Sequence, residues 1–222
     1  MLSLAGKTAL VEGASTPVGA AVSRALTDAG AVVGALDIGP GTADGLVAGW
    51  EPHGIVDVYV HAGPWAGVPR GAPLVALDDE GFAAAFERPV LTLLWSLRAG
   101  YAHLAKPGGR VVVVVPTAAM AGAPGLAATA AAAEAQRQLA KSVARQWGSD
   151  GLAVNIVAAD LAALAPGGAD LPAVSLSPPA LGPGAVTDLA GIARLVSLVA
   201  SGEAAALTGA TLSADGGIWM AP

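Results

Sequence analysis

The chain has 222 residues, 54% of them hydrophobic, which is enough for the core of one α/β domain and too apolar for a disordered chain. Its net charge of −6 excludes the basic face that a nucleic-acid binder needs, and the absence of cysteine excludes disulfides, thiolate metal sites and a thiol nucleophile. Residues 1–7 place no basic segment ahead of an apolar run, so a cytoplasmic location is expected.

Thr8 to Val11 is a short apolar run that leads into a turn containing Gly13, Ser15, Pro17 and Gly19. Val18, Val22, Ala25, Leu26 and Ala29 then recur at helical spacing, and Gly30 ends that helix as a glycine just past a helix end does. A second apolar run, Ala31 to Leu36, stops at Asp37. Strand, glycine turn, helix, strand and acid make one βαβ unit of the dinucleotide-binding type.

Ile55 to Val60 reads as a buried strand ending at His61, Ala62 and Gly63. A helix is expected from Asp79 to Ala105, kinked or restarted at Pro89. Five valines, Val111 to Val115, suit a central parallel strand covered on both faces. The charge-free stretch from Val111 to Ala133 is long enough to cross a bilayer, but Pro116, Gly122, Pro124 and Gly125 interrupt it. It reads as strand, loop and helix start, with no membrane segment. An alanine-rich helix follows over Leu126 to Trp147, then a strand over Ala153 to Val157 and a long loop over Leu161 to Val186. A helix over Asp188 to Ala200 and a strand over Ala210 to Ser213 close one α/β domain with a doubly wound parallel sheet.

Gly6 to Val11, Gly13-Ala14-Ser15, Gly19, Asp37, Ala62-Gly63, Gly108-Gly109-Arg110, Asn155, Leu207-Thr208-Gly209 and Asp215-Gly216-Gly217 occur in the order found in the short-chain dehydrogenase/reductase family, which this chain resembles over almost its whole length. The resemblance implies a Rossmann-type sheet. Only about 24 residues separate Asp37 from the next strand end, so the sheet is expected to be shortened by one strand–helix unit between Asp37 and Ile55.

The family's reaction uses a Tyr-x-x-x-Lys pair, a serine and an asparagine. The tyrosine exchanges a proton with the substrate oxygen, and the lysine lowers its pKa. Aligned through Ala123 to Leu126, these positions hold Thr129, Ala133, Pro116 and Pro89. A threonine hydroxyl is too weak an acid and too short to replace a phenol, and Ala133 supplies no cation. Loss of a positioned general acid costs about 10²–10⁴ in rate, so no catalytic residue is expected by the family mechanism.

The resemblance assigns Gly13, Ser15, Gly19, Asp37 and Gly63 to a cofactor site, with Asp37 placed to accept from a ribose 2′-OH and so to favour NAD. Pro17 stands at the middle glycine position and removes a backbone donor. Glu12 replaces a usual threonine and is expected to put a carboxylate near the pyrophosphate. Nucleotide binding is therefore expected to be weak or absent. The three histidines have no ligand spacing, so no metal is expected.

Three readings stay open. One is a non-catalytic subunit that assembles with itself or with an active family member through helices 82–105 and 126–147. Another is a rebuilt, non-redox site in the crevice around His61, Thr117, Thr129 and Asp160, with His61 either pairing with Asp160 or Thr129 or standing as a polar rim residue. The third is an NAD(H)-binding oxidoreductase or sensor. Trp65 and Trp219 are expected to face a pocket or partner, and Trp95 and Trp147 lie on the helices expected to meet other subunits.

Overall fold

The computed structural model describes residues 2–37, 43–63, 65, 73–165, 179–185 and 188–220. Its centre is a sheet of six strands, β1 (Thr8–Glu12), β2 (Val32–Leu36), β3 (Val58–His61), β4 (Arg110–Pro116), β5 (Ala153–Ala159) and β6 (Thr211–Ser213). They lie in the order β2-β1-β3-β4-β5-β6, and every pairing is parallel. Strands β3 and β5 are buried throughout, and β4 from Val111 onward. This is why the valine run carries no alternation: both faces are covered, so every position is apolar.

Helix α1 (Pro17–Asp28) joins β1 to β2, stepping outward, and α2 (Ala43–Trp50) carries the chain back across β1 to β3. Crossovers of one hand in opposite directions put their helices on opposite faces of the sheet. Accordingly α1 packs with α8 (Leu189–Ala200), while α2 packs with α4 (Arg88–Gly100) and α4 with α6 (Ala127–Trp147). One helix and, among the described residues, no strand lies between β2 and β3, so β2 is the edge of the sheet. This is the shortened unit expected from the chain length between Asp37 and Ile55.

The helix expected over Asp79 to Ala105 is realised in pieces. The short α3 (Asp79–Phe82) is capped by Asp78, whose carboxylate accepts the Gly81 N–H. A π-turn at Ala83–Glu87 follows, with the Arg88 N–H reaching back five residues to Ala83 O, and then α4 begins. Pro89 has no N–H to donate to the carbonyl four residues earlier, so the ladder slips by one residue just ahead of it. The strand expected from Ile55 starts at Val58 instead, with Ile55 exposed and Val56 making a single bridge to Leu104. A short helix, α5 (Ala118–Ala121), follows β4, and the expected loop after residue 160 opens with another, α7 (Leu161–Leu164); residues 166–178 and 186 of that stretch lie outside the described residues. No helix among the described residues is long and apolar enough to cross a membrane.

Candidate functional site

The glycine turn after β1 is built as its residues demand. Gly13 adopts φ +78°, which a side chain would resist. Thr16 caps α1: its Oγ1 donates to Gly13 O at 2.7 Å and accepts the Gly19 N–H at 3.1 Å. Pro17 takes the first helical position, where its fixed φ suits the turn. A Cβ on Gly19 would lie 2.0 Å from Gly13 O, so close packing of helix on strand alone requires glycine there. Gly63, at φ +57°, brings its carbonyl to within 3.3 Å of the point where a Gly13 Cβ would stand. The two loops thus meet at the point where the strand order reverses, the usual ligand crevice of such sheets.

Part of this crevice's donor set is already engaged. The Ser15 N–H donates to Asp37 Oδ1 at 3.0 Å, the Gly19 N–H goes to Thr16, and Pro17 has none. Asp37, expected on a ribose hydroxyl, holds the loop in place. A pyrophosphate needs free N–H groups at the helix start, so this donor set fits a dinucleotide poorly.

Two sequence expectations fail at the ends of β1 and β3. Glu12 does not face a pyrophosphate, and His61 is neither on the rim nor paired with Asp160 or Thr129. Glu12 and His61 are register partners on neighbouring parallel strands, so their side chains share the sheet face that carries α2 and α4. Both are buried. His61 Nδ1 lies 2.9 Å from Glu12 Oε2, Ser96 Oγ on α4 donates to the same oxygen at 2.7 Å, and the Tyr59 hydroxyl makes a short bond to it. Three donors satisfy one buried carboxylate oxygen, the condition for keeping such a charge in a core. Burial and the neighbouring Glu12 charge push the Tyr59 phenol well above its ordinary value. Among the described residues His61 Nε2 has no partner. Tyr59 also packs on Trp50, ring centroids 4.8 Å apart. Tyr59 and Ser96 were missed in the sequence, although residues 12, 59 and 61 become same-face neighbours once the two strands are paired.

The reaction-centre positions are closed. Thr129 is 2% exposed and Ala133 0%, both on the inward face of α6. Pro116 ends β4, buried. The carbonyl of Pro89 accepts from Gln136 Nε2 at 2.8 Å, tying α4 to α6. Thr117 and Asp160 do come together: they line one cavity of about 10 Å³ with Ala121, Gly122, Leu161 and Ile218. That is room for about one water molecule. Thr117 Oγ1 is buried without a partner among the described residues. Asp160 caps α7, accepting the Ala162 N–H at 2.8 Å, and its carboxyl is raised by burial and then by the charge of Asp215. Thr129 lines a different cavity, of about 20 Å³, with Leu77, Ala85 and Leu126. The four residues of the expected crevice therefore fall into three separate places.

Trp65 turns inward as well, contrary to the expectation of a pocket or partner. It is fully buried, lies against Gly63, and donates its indole N–H to Val114 O at 3.1 Å. Because β3 ends at His61, opposite Val113, the indole takes a β4 carbonyl that has no strand beside it. Trp147 is 8% exposed and packs on Tyr101 of its own chain, centroids 5.0 Å apart. No group of three or more metal-ligating side chains occurs among the described residues.

Residues 43–219 match the family model described as enoyl-(acyl carrier protein) reductase. The chain is 30% identical to the 3-oxoacyl-[acyl-carrier-protein] reductase FabG of Vibrio cholerae, covering 99% of this chain and 100% of the relative. That alignment runs over 249 positions, more than the 222 residues present here, so the relative has residues for which this chain has no counterpart. A dehydrogenase/reductase from Sinorhizobium meliloti superposes with a TM-score of 0.80 at 27% identity, covering 99% of this chain and 97% of that one. A short-chain dehydrogenase from Burkholderia cenocepacia, solved with NADP, has the same fold at TM-score 0.82 and 24% identity over 97% of this chain and 98% of that one. A matched fold, a family model across most of the chain and a full-length curated relative agree: the chain belongs to the short-chain dehydrogenase/reductase superfamily.

Proposed function

We propose that this chain is a catalytically degenerate member of its oxidoreductase family, a cytoplasmic, non-catalytic subunit that assembles with itself or with an active relative through the helices over 82–105 and 126–147. The observation that carries this reading is the closed inward face of α6. Thr129 and Ala133 stand where the family needs a phenol and an ammonium, and both are packed against the core. The Pro89 carbonyl opposite is bonded to Gln136. A pocket able to admit a carbonyl substrate would leave these positions open to solvent. The face of α3 and α4 turned away from the core carries exposed Phe82 and Leu91, as an assembly surface requires.

The test is a reductase assay with NADH and NADPH on a 3-oxoacyl-[acyl-carrier-protein], the substrate named for the Vibrio relative. The expected rate is that of the buffer blank. Turnover that follows the protein through purification and is lost in Thr117→Val would overturn the proposal. Sedimentation with and without an active family member tests the assembly, and a monomer at all concentrations in both mixtures removes that part.

The intact Gly13 and Gly63 turns and the position of Asp37 favour a second reading, a residual NAD(H) sensor. Calorimetric titration with NAD, NADH, NADP and NADPH distinguishes the two. Tight binding without turnover, weakened by Asp37→Ala, would favour the sensor. No binding at millimolar nucleotide would leave the non-catalytic subunit.

A further inference from the structure

The shortened sheet leaves β2 as an edge, and this edge has an unusual character. Val32 N–H donates to Lys7 O, and Leu36 O accepts from Gly13 N–H. In a parallel ladder alternate residues bond to the same side. Val32, Gly34 and Leu36 therefore face β1, while the N–H and C=O groups of Val33 and Ala35 point away from the sheet. Among the described residues no strand lies on that side. Natural edge strands are usually guarded by a lysine, a proline, a bulge or an inward charge. The sequence Val-Val-Gly-Ala-Leu of β2 has no charged residue and no proline. Val32 is 70% exposed, and Ala35 is exposed too.

We infer that the β2 edge pairs with β2 of a second copy of this chain, antiparallel about a twofold axis at Gly34. The register is self-complementary. Val33 lies opposite Ala35 of the other copy and Ala35 opposite its Val33, so the four outward groups of each copy pair with those of the other in two hydrogen-bonded residue pairs. Gly34 meets Gly34 at the close, non-bonded position between them, where a missing side chain eases approach. Val32 stands opposite Leu36 and Asp37 opposite Ala31, so no two like charges meet across the axis. A twofold contact of this kind uses the same patch on both copies, as closed dimers do. It joins two six-stranded sheets into one. A five-residue strand buries little area, so the contact is concentration-dependent by itself and adds to the helix-mediated assembly rather than replacing it.

The experiment is sedimentation over a concentration series with full-length chains carrying Leu91→Asp, which removes an exposed apolar side chain from the helix surface. Leu91→Asp is expected to dimerise as concentration rises, and Leu91→Asp/Ala35→Pro to stay monomeric. Proline at position 35 deletes an N–H that β1 does not use, the one setting in which strands tolerate it. Amide hydrogen exchange on the unmodified protein gives a reading free of any folding effect. Val33 and Ala35 amides should be protected in the dimer and exchange on dilution, while the Gly34 amide, bonded to β1, stays protected throughout. A Leu91→Asp protein that is monomeric at every concentration would overturn the pairing, and so would fast exchange at Val33 and Ala35 in the assembled protein. Protection of those amides in a monomer would place a segment of the same chain on the edge and would equally overturn it.

Discussion

At the β1–β3 end of the sheet, every backbone turn expected of a dinucleotide-binding unit is in place, yet its polar side chains have been turned inward. At the β4–α6 end, the backbone is equally intact, and the positions aligned with the family's reaction centre hold alanine, proline and threonine. The difference teaches which residues the backbone itself demands. Gly19 must remain glycine because a Cβ would strike Gly13 O at 2.0 Å, whatever the loop binds. Thr129 and Ala133 are held by burial of their side chains and not by a backbone contact of that kind. The carboxylate of Glu12, where the family usually has a threonine, is held in the core by three donors.

The largest expected effect separates the two ends. Glu12→Ala leaves His61, Tyr59 and Ser96 buried without their common acceptor and should cost about 3–5 kcal/mol, the range for breaking a buried charged network from one side. Urea denaturation reads it directly. A loss below about 1 kcal/mol would mean that the network is dispensable packing, no different from the alanines of α6. Ala133→Lys probes the other end. Overfilling a closed site costs about 1–3 kcal/mol in volume alone, and the ammonium would have no partner there. A variant as stable as the parent would show that the α6 face is open and would undercut the non-catalytic reading.

The third effect is a pH dependence confined to the β1–β3 end. The Tyr59 phenol is raised in the folded protein, so the native state holds a proton that the unfolded chain releases near pH 10. Stability from this group is complete below about pH 10 and falls as pH rises toward the folded value, by at most about 1.4 kcal/mol per pH unit. Thermal melts from pH 8 to 11 should show a steeper alkaline decline for the parent than for Tyr59→Phe. Parallel declines would place the effect elsewhere.

The same contrast explains what the sequence could reveal. The order of the strands and long helices, the Gly30 helix stop, the Pro89 disruption and the missing strand–helix unit were legible, because each follows from backbone rules or from chain length, whereas α2, α5 and α7 were not. The fate of Glu12 and His61 was not. Their positions next to a glycine turn suggested the crevice, but a residue at a strand end points to a face set by alternation and by which strand lies alongside. Only the pairing of β1 with β3 brings residues 47 and 49 apart in sequence together. Trp65 was misread for a similar reason: a loop position says nothing of an unpaired carbonyl at Val114 that an indole can reach. Thr117 and Asp160 do line one cavity, but the sequence grouped them with His61 and Thr129, which lie elsewhere.

The smallest effect concerns that surviving pair. Asp160 caps α7 and sits near Asp215, whose own carboxylate accepts the Gly217 and Trp219 N–H groups. Because burial and Asp215 raise its carboxyl, the folded state favours the protonated form. The stability this confers is present in acid and lost as pH rises through the folded value, so at neutral pH the ionised side chain is a net cost. Asparagine keeps the acceptor that caps the helix and removes the charge. Asp160→Asn should therefore stabilise the protein at pH 7 by a few tenths of a kcal/mol, about the size left after solvent screens a half-exposed charge, and change nothing near pH 3. A variant destabilised at pH 7 would show instead that the carboxylate is needed as an anion beside Thr117. That result would revive a rebuilt reactive site at this one corner of the molecule, while leaving the closed face of α6 as it is.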